Sequence, residues 1–200
     1  MDKLTLQQKH EQFSEFFMIN HDLPVNIREL ARDFALPDVD DLHNHMPYTF
    51  QVASEIGAIE SKALRPLRNL GEHASELVEF LNHQSRKIDL MMSLILQQQS
   101  DPAEQFYSVQ FGGGGITIST DKPIDIGTKI ELKLFLREEA CAIFCFAEVI
   151  TCKPHQDTYH ISLIYTRIRE EDQDLLVKAS LHLQAIALRK RNKQKQNEQN

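Results

Sequence analysis

The chain has no tryptophan, only three cysteines and no long apolar run. Its uncharged stretches are too short to cross a bilayer, which takes about 20 apolar residues in a helix. The N-terminus, Met1-Asp2-Lys3-Leu4, lacks the apolar core of a secretory signal. An odd cysteine count without such a signal implies free thiols in a reducing cytoplasm, not a disulfide framework. Positive charge is also short: 22 Lys and Arg against 29 Asp and Glu give a net charge of -7. That balance argues against nucleic acid or an anionic membrane as the main partner. The local exception is Arg189-Lys190-Arg191 with Lys193 and Lys195, in a Gln/Asn-rich end. It reads as a solvated helix terminus, where cations suit the helix dipole.

Signatures of catalysis are missing as well. There is no Ser/His/Asp order, no paired-carboxylate motif and no cofactor box, so no enzyme is expected. His43-Asn44-His45 beside Asp38, Asp40 and Asp41 offers imidazole and carboxylate groups. No second ligand pair occurs at a metal-binding spacing, so a solvated turn is expected; a nuclease or metal enzyme built on that turn is the remote alternative. Cys141 and Cys145 share a strand face about 13 Å apart, too far for one metal, and Cys152 sits beside them. All three are expected to behave as small hydrophobes. Gly112-Gly113-Gly114-Gly115 lacks the lysine and the helix of a phosphate-binding loop. A tight turn or bulge that uses glycine's permissive backbone is expected instead.

What the chain does have is a heptad pattern from Leu67 to Gln98. Leu67, Ala74, Leu81, Ile88 and Ile95 fall at a; Leu70, Leu77, Gln84, Met91 and Gln98 fall at d. A period of 3.5 held this long implies a left-handed supercoil. Phe80 and Leu94 at g, with Val78 and Met92 at e, make the stripe wider than a dimer seam needs. Three or four helices are therefore expected, from other copies or from this chain, with an amphipathic helix on its own domain as the plainer alternative. Oligomerisation is assigned to Leu67, Leu70, Leu77, Leu81, Gln84, Ile88, Met91 and Ile95.

Around this stripe the order of elements is legible. Residues 1–14 suggest a short helix or arm. Phe16 to Ile27 reads as one strand or two short ones, with Pro24 at an edge or bend. Arg28 to Phe34 suggests a helical turn ended by Pro37. Thr49 to Ala63 has helical spacing, and Pro66 starts a new helix or kinks the long one. Ser100-Asp101-Pro102 stops the heptad helix. After it the period switches to two. Strands are expected at 106–111, 116–120, 129–136 (KIELKLFL, one wet face), 142–151 and 158–168. Glu170-Glu171-Asp172 then opens a helix with Leu175, Leu176, Ala179, Leu183 and Ile186 on one face. The C-terminal half is read as a small antiparallel barrel capped by a helix.

The run GGGGITISTDKPIDIGTKIELKLFL, with its D-x-P-hydrophobic-x-hydrophobic-G-T loop, resembles the PilZ family of bacterial cyclic di-GMP receptors. So does the ending from Ile164 to Leu176. The resemblance covers roughly residues 103–188. It implies an α+β fold in which a small antiparallel PilZ-like β-barrel is split by a long helical insertion. The first strand would lie upstream, at Phe16 to Val25, as in helix-inserted relatives that assemble as tetramers. The chain then divides into 1–30 (arm and first strand), 31–101 (helical insertion, heptad helix about 67–98), 102–190 (barrel and C-terminal helix) and 191–200 (disordered polar tail).

The family's two ligand motifs are degenerate in this sequence. Aligning its R-x-x-x-R on Phe16-Phe17 puts Ser14 and Met18 where arginines would grip the dinucleotide. Aligning its [D/N]-x-S-x-x-G on the glycines puts Gln110, Gly112 and Gly115 there, and only the last matches. Arg28 and Arg32 form a literal R-x-x-x-R but lie after the first strand. The resemblance therefore implies a cytoplasmic, non-enzymatic, tetrameric adaptor for an unknown signalling or motility protein, without a cofactor. The alternative is a true cyclic di-GMP receptor using Arg28, Arg32, Gln110, Gly112 and Gly115.

Overall fold

The computed structural model describes residues 5–67, 75–98, 102–136 and 139–197. Helix α1 (Leu6–Glu15) starts at a reciprocal cap. The Thr5 hydroxyl accepts from the Gln8 backbone, and the Gln8 side chain accepts from the Thr5 N–H at 2.8 Å. Two short strands come next, β1 (Met18–Asn20) and β2 (Pro24–Glu29), the second of the two arrangements that the broken apolar run allowed. After the insertion come β3 (Gln105–Gly112), β4 (Gly115–Thr120), β5 (Lys129–Leu136), β6 (Cys141–His155) and β7 (Thr158–Arg167).

All pairings are antiparallel. The order β3-β2-β5-β6-β7-β4 returns to β3, which closes a six-stranded barrel. β1 adds to the far end of β3, with Met18 opposite Gly112, while β2 takes the near end, with Pro24 opposite Tyr107. The N-terminal segment thus supplies the strand between β3 and β5, and the inserted helices interrupt the barrel's sequence, not its sheet. Pro24 opens β2, a position where the missing N–H costs no ladder bond within the strand. Gly127 has φ +88° in the loop between β4 and β5, where its amide bonds the Val149 carbonyl at 2.8 Å.

The inward rows of every strand form one core, including Val25, Phe111, Ile118, Leu132, Cys145 and Leu163. Helix α5 (Glu170–Asn197) closes it with Leu176, Ala179 and Leu183, one apolar face of the helix. The helix continues to Asn197, past residue 191, where a polar tail was expected to begin.

The structure corrects two further expectations. Arg28 and Glu29 belong to β2 and pair with Glu131 and Ile130, so the stretch to Phe34 is strand and turn, not helix. Ile27 enters the core in step with Val25, and that period of two carries the strand to Glu29. Nor does β5 have a wet face: Glu131 and Phe135 point away from the core yet are 7% and 1% exposed.

The cover on β5 is the insertion. A strap, residues 30–37, leads into helices α2 (Leu42–His45), α3 (Tyr48–Leu67) and α4 (Ser75–Gln98). Leu42, Met46, Phe50 and Leu96 meet Phe135, Phe144 and Phe146 in a second core outside the barrel. Its rings pack edge-on or tilted, with Phe144 and Phe146 centroids 5.4 Å apart. The strap is held by Lys129, which donates to the Phe34 carbonyl at 2.6 Å, and by Arg167, which donates to the Pro37 carbonyl at 2.8 Å. Pro66 lies in the last turn of α3; residues 68–74, with Leu70 and Ala74 of the heptad, are outside the described residues.

Candidate functional site

The glycine turn joins β3 to β4, and all four of its glycines are buried. Each lies where a side chain cannot go. A Cβ on Gly112 would strike the Phe17 carbonyl, and one on Gly115 the Leu163 carbonyl. A Cβ on Gly113 would stand 2.6 Å from the Phe16 ring, and one on Gly115 2.5 Å from the Phe13 ring. The turn's carbonyls are engaged too: Gln173 donates to Gly113 at 2.9 Å and the Tyr165 amide to Gly114 at 3.3 Å. So the turn is a platform roofed by α1 and flanked by α5.

Of the expected site residues, Gln110, Gly112 and Gly115 do come together there. Gln110 spends its amide N–H on the Thr117 hydroxyl at 3.2 Å, and Thr117 in turn meets Ser162 at 3.1 Å. Arg28 and Arg32 do not join them. Arg28 pairs with Glu131, which also takes Lys133 at 3.3 Å, and Arg32 faces Asp125 at 3.7 Å, fully in solvent. Ser14 donates to the His10 carbonyl within α1 at 2.8 Å, and Met18 opens β1. Neither offers a cation to an anionic ligand.

The heptad helix shows two faces. Leu96 enters the second core, and Val78, Leu81 and Met92 are half-buried, as α4 packs on α3 and β6. The opposite face keeps Leu77, Phe80, Ile88, Met91, Leu94 and Ile95 exposed, with Phe80, Met91 and Leu94 each more than half open to solvent. Gln84 is half-buried between them, and the side chain of Leu67 is outside the described residues. Part of the stripe's width therefore serves this chain's own α3 and barrel.

Sequence reasoning missed Phe13 and Phe16; Phe13 sits on α1 and Phe16 is the extended residue that caps it, so no single period joins them. It also missed Arg169. This guanidinium grips Asp172 with two bonds, 2.7 and 3.0 Å, and bonds Ser54 of α3 at 2.7 Å. It lies in a cleft of about 730 Å³ between α3, α4 and the start of α5. Burial raises the Asp172 carboxyl above its ordinary value, against the opposing pull of Arg169. Burial also pushes the Cys141 thiol to about 12, with Glu139 adding to it. The turn at His43 and His45 is tied internally, Asn44 donating to Asp41 at 2.6 Å and His45 facing Asp41 at 3.3 Å. Among the described residues no cluster of three His, Cys, Asp or Glu fits a metal ion, and no helix is long and apolar enough to cross a membrane.

Comparison with known proteins gives one family and one fold. Residues 83–181 match the PilZ domain family. That match begins inside α4 and omits β1 and β2, which the barrel draws from far upstream. A Xanthomonas campestris protein, described as a tetrameric PilZ domain self-assembled via an unusual helical bundle, superposes with a TM-score of 0.53. It is 15% identical, over 90% of this chain and 96% of that one. The Bacillus subtilis inhibitor of motility MotI is 23% identical over 40% of this chain and 42% of its own, with a TM-score of 0.38. MrkH of K. pneumonia is 20% identical over 45% and 44%, with a TM-score of 0.38. No curated protein matches the chain. Over residues 83–181 the chain is similar to the PilZ domain, in a barrel that is split in sequence by inserted helices.

Proposed function

We propose that this chain is a non-enzymatic, self-associating adaptor of bacterial cyclic di-GMP signalling, in the cytoplasm, whose own nucleotide motifs are lost. The observation that carries this reading is the roof over the glycine turn: Phe13 and Phe16 cover the glycines with which the family's second ligand motif aligns. The side chains agree. Ser14, Met18 and Gly112 stand where the family places two arginines and a serine, and Gln110 is engaged with Thr117. Each charge-assisted hydrogen bond contributes about 1.5–3 kcal/mol, and a micromolar complex holds only about 8 kcal/mol in all. Losing three or four such bonds leaves no useful affinity.

Self-association is supported by the uncovered apolar face of α4 and by the likeness to a fold described as a tetramer. A receptor reading through Arg28 and Arg32 has less support, because both are paired to carboxylates away from the turn. Isothermal titration with cyclic di-GMP tests the choice. The adaptor reading expects no heat at high nucleotide concentration; saturable low-micromolar binding would overturn it.

A further inference from the structure

The contact between α1 and the glycine turn resembles that of a bound helix more than that of a core element. Lys9 and Phe13 fall at i and i+4 on one face of α1, and Phe16, the extended residue that caps the helix, brings a second ring to the same wall. Lys9 reaches Glu148 of β6 at 2.6 Å, both side chains largely covered. Phe13 lies on Gly115 and Phe16 on Gly113 and Gly114. Backbone accompanies the rings inward: the Gln12 and Phe13 carbonyls stand 3.2 and 3.3 Å from where a Cβ on Gly114 would be. Bare glycine is what allows that approach.

The rest of α1 gives little back. None of its residues is buried, and Leu6 is 45% exposed. At 10 residues it is too short to persist as a helix without the wall beneath it. Two rings and one ion pair retain it.

We infer that the glycine platform is a docking site for an amphipathic helix of a partner protein, one that presents a basic residue, an aromatic residue four positions later and a second aromatic residue at its C-terminal cap. In the free chain α1 occupies this site as a tethered stand-in. A partner helix of the same chemistry displaces it by mass action, and the vacated α1 loses its helix. Glu148 reads the basic residue; the glycines read the two rings. The inference rests on the adaptor reading, but the two fail separately. Nucleotide binding by the unaltered chain would overturn the adaptor reading alone, whereas failed helix exchange would overturn the docking site alone.

The test uses the full-length chain with Phe13→Ser and Phe16→Ser, and a fluorescent peptide of residues 5–17 monitored by anisotropy. The peptide is expected to bind this variant saturably and about tenfold tighter than it binds the unaltered chain, where α1 competes. Adding Glu148→Lys should weaken peptide binding by about tenfold. Equal binding to variant and unaltered chain, or none to a variant that keeps its thermal midpoint, would overturn the inference. Should the double variant fail to fold, Lys9→Glu alone keeps both rings. Amide exchange over residues 6–15 and 112–115 is then expected to quicken about tenfold. Unchanged exchange would equally overturn it.

Discussion

The outer wall of β5 and β6 and the outer face of α4 are both rich in large apolar side chains, yet they meet different fates. On the barrel wall, Phe135, Phe144 and Phe146 are each 1% exposed, because α2, α3 and the end of α4 lie over them. On α4, Phe80, Met91 and Leu94 stay open, with Leu77, Ile88 and Ile95 beside them. A patch of that kind on an otherwise polar helix marks an interaction surface. The contrast shows that one chain can finish its barrel and still leave its stalk unfinished. The same helix serves both: Leu96 completes the fold, while Phe80 and Leu94, on the opposite face, stay exposed.

Three changes separate the two surfaces, and the largest effect on stability is expected at the covered wall. Phe144→Ala opens the second core and is expected to cost about 3–5 kcal/mol in denaturant unfolding. A loss below about 1 kcal/mol would mean that the insertion does not stabilise the barrel. Ile88→Asp with Met91→Asp places two charges in the outward seam; it is expected to drop the sedimenting mass to a single chain while the barrel's unfolding midpoint holds. Leu81→Asp with Ile88→Asp should do the same but also lower the midpoint, since Leu81 is half-buried within its own chain.

The smallest effect is expected at the joint between the surfaces. Arg169→Ala leaves the Asp172 carboxylate buried without its partner and should cost about 1–3 kcal/mol. Its pH dependence carries a definite sign. The folded-state pKa of Asp172 is raised above the unfolded value of 3.8, so its ionised form costs stability. That cost is present above the raised pKa and is relieved as pH falls through it toward 3.8. The deficit of Arg169→Ala in thermal scans should therefore shrink on acidification; a deficit that grows would mean that Asp172 is not the group left exposed to the change.

The fold was legible where one period held without interference. KIELKLFL is β5 residue for residue, and the helix opened by Glu170-Glu171-Asp172 starts where its charges indicate. It was illegible where a second layer changed a residue's surroundings. Glu131 and Phe135 belong to an alternation that looks half-wet, and only the strap and the inserted helices make that side dry. Arg28 to Arg32 has helical-looking charge spacing, but pairing with β5 holds its first residues extended. The heptads told which residues share a stripe; they could not tell that Val78 and Met92 face inward. At the site, the glycine run announced close approach without naming what approaches, because Phe13 and Phe16 are distant from it in sequence.

If copies of the chain cover the outward face of α4, the oligomer must be visible in solution, and sedimentation equilibrium of the unaltered protein tests this most directly. The expected result is a mass about four times the 23.1 kDa of one chain, held over a wide range of dilution. A mass of 23.1 kDa at every concentration would contradict it.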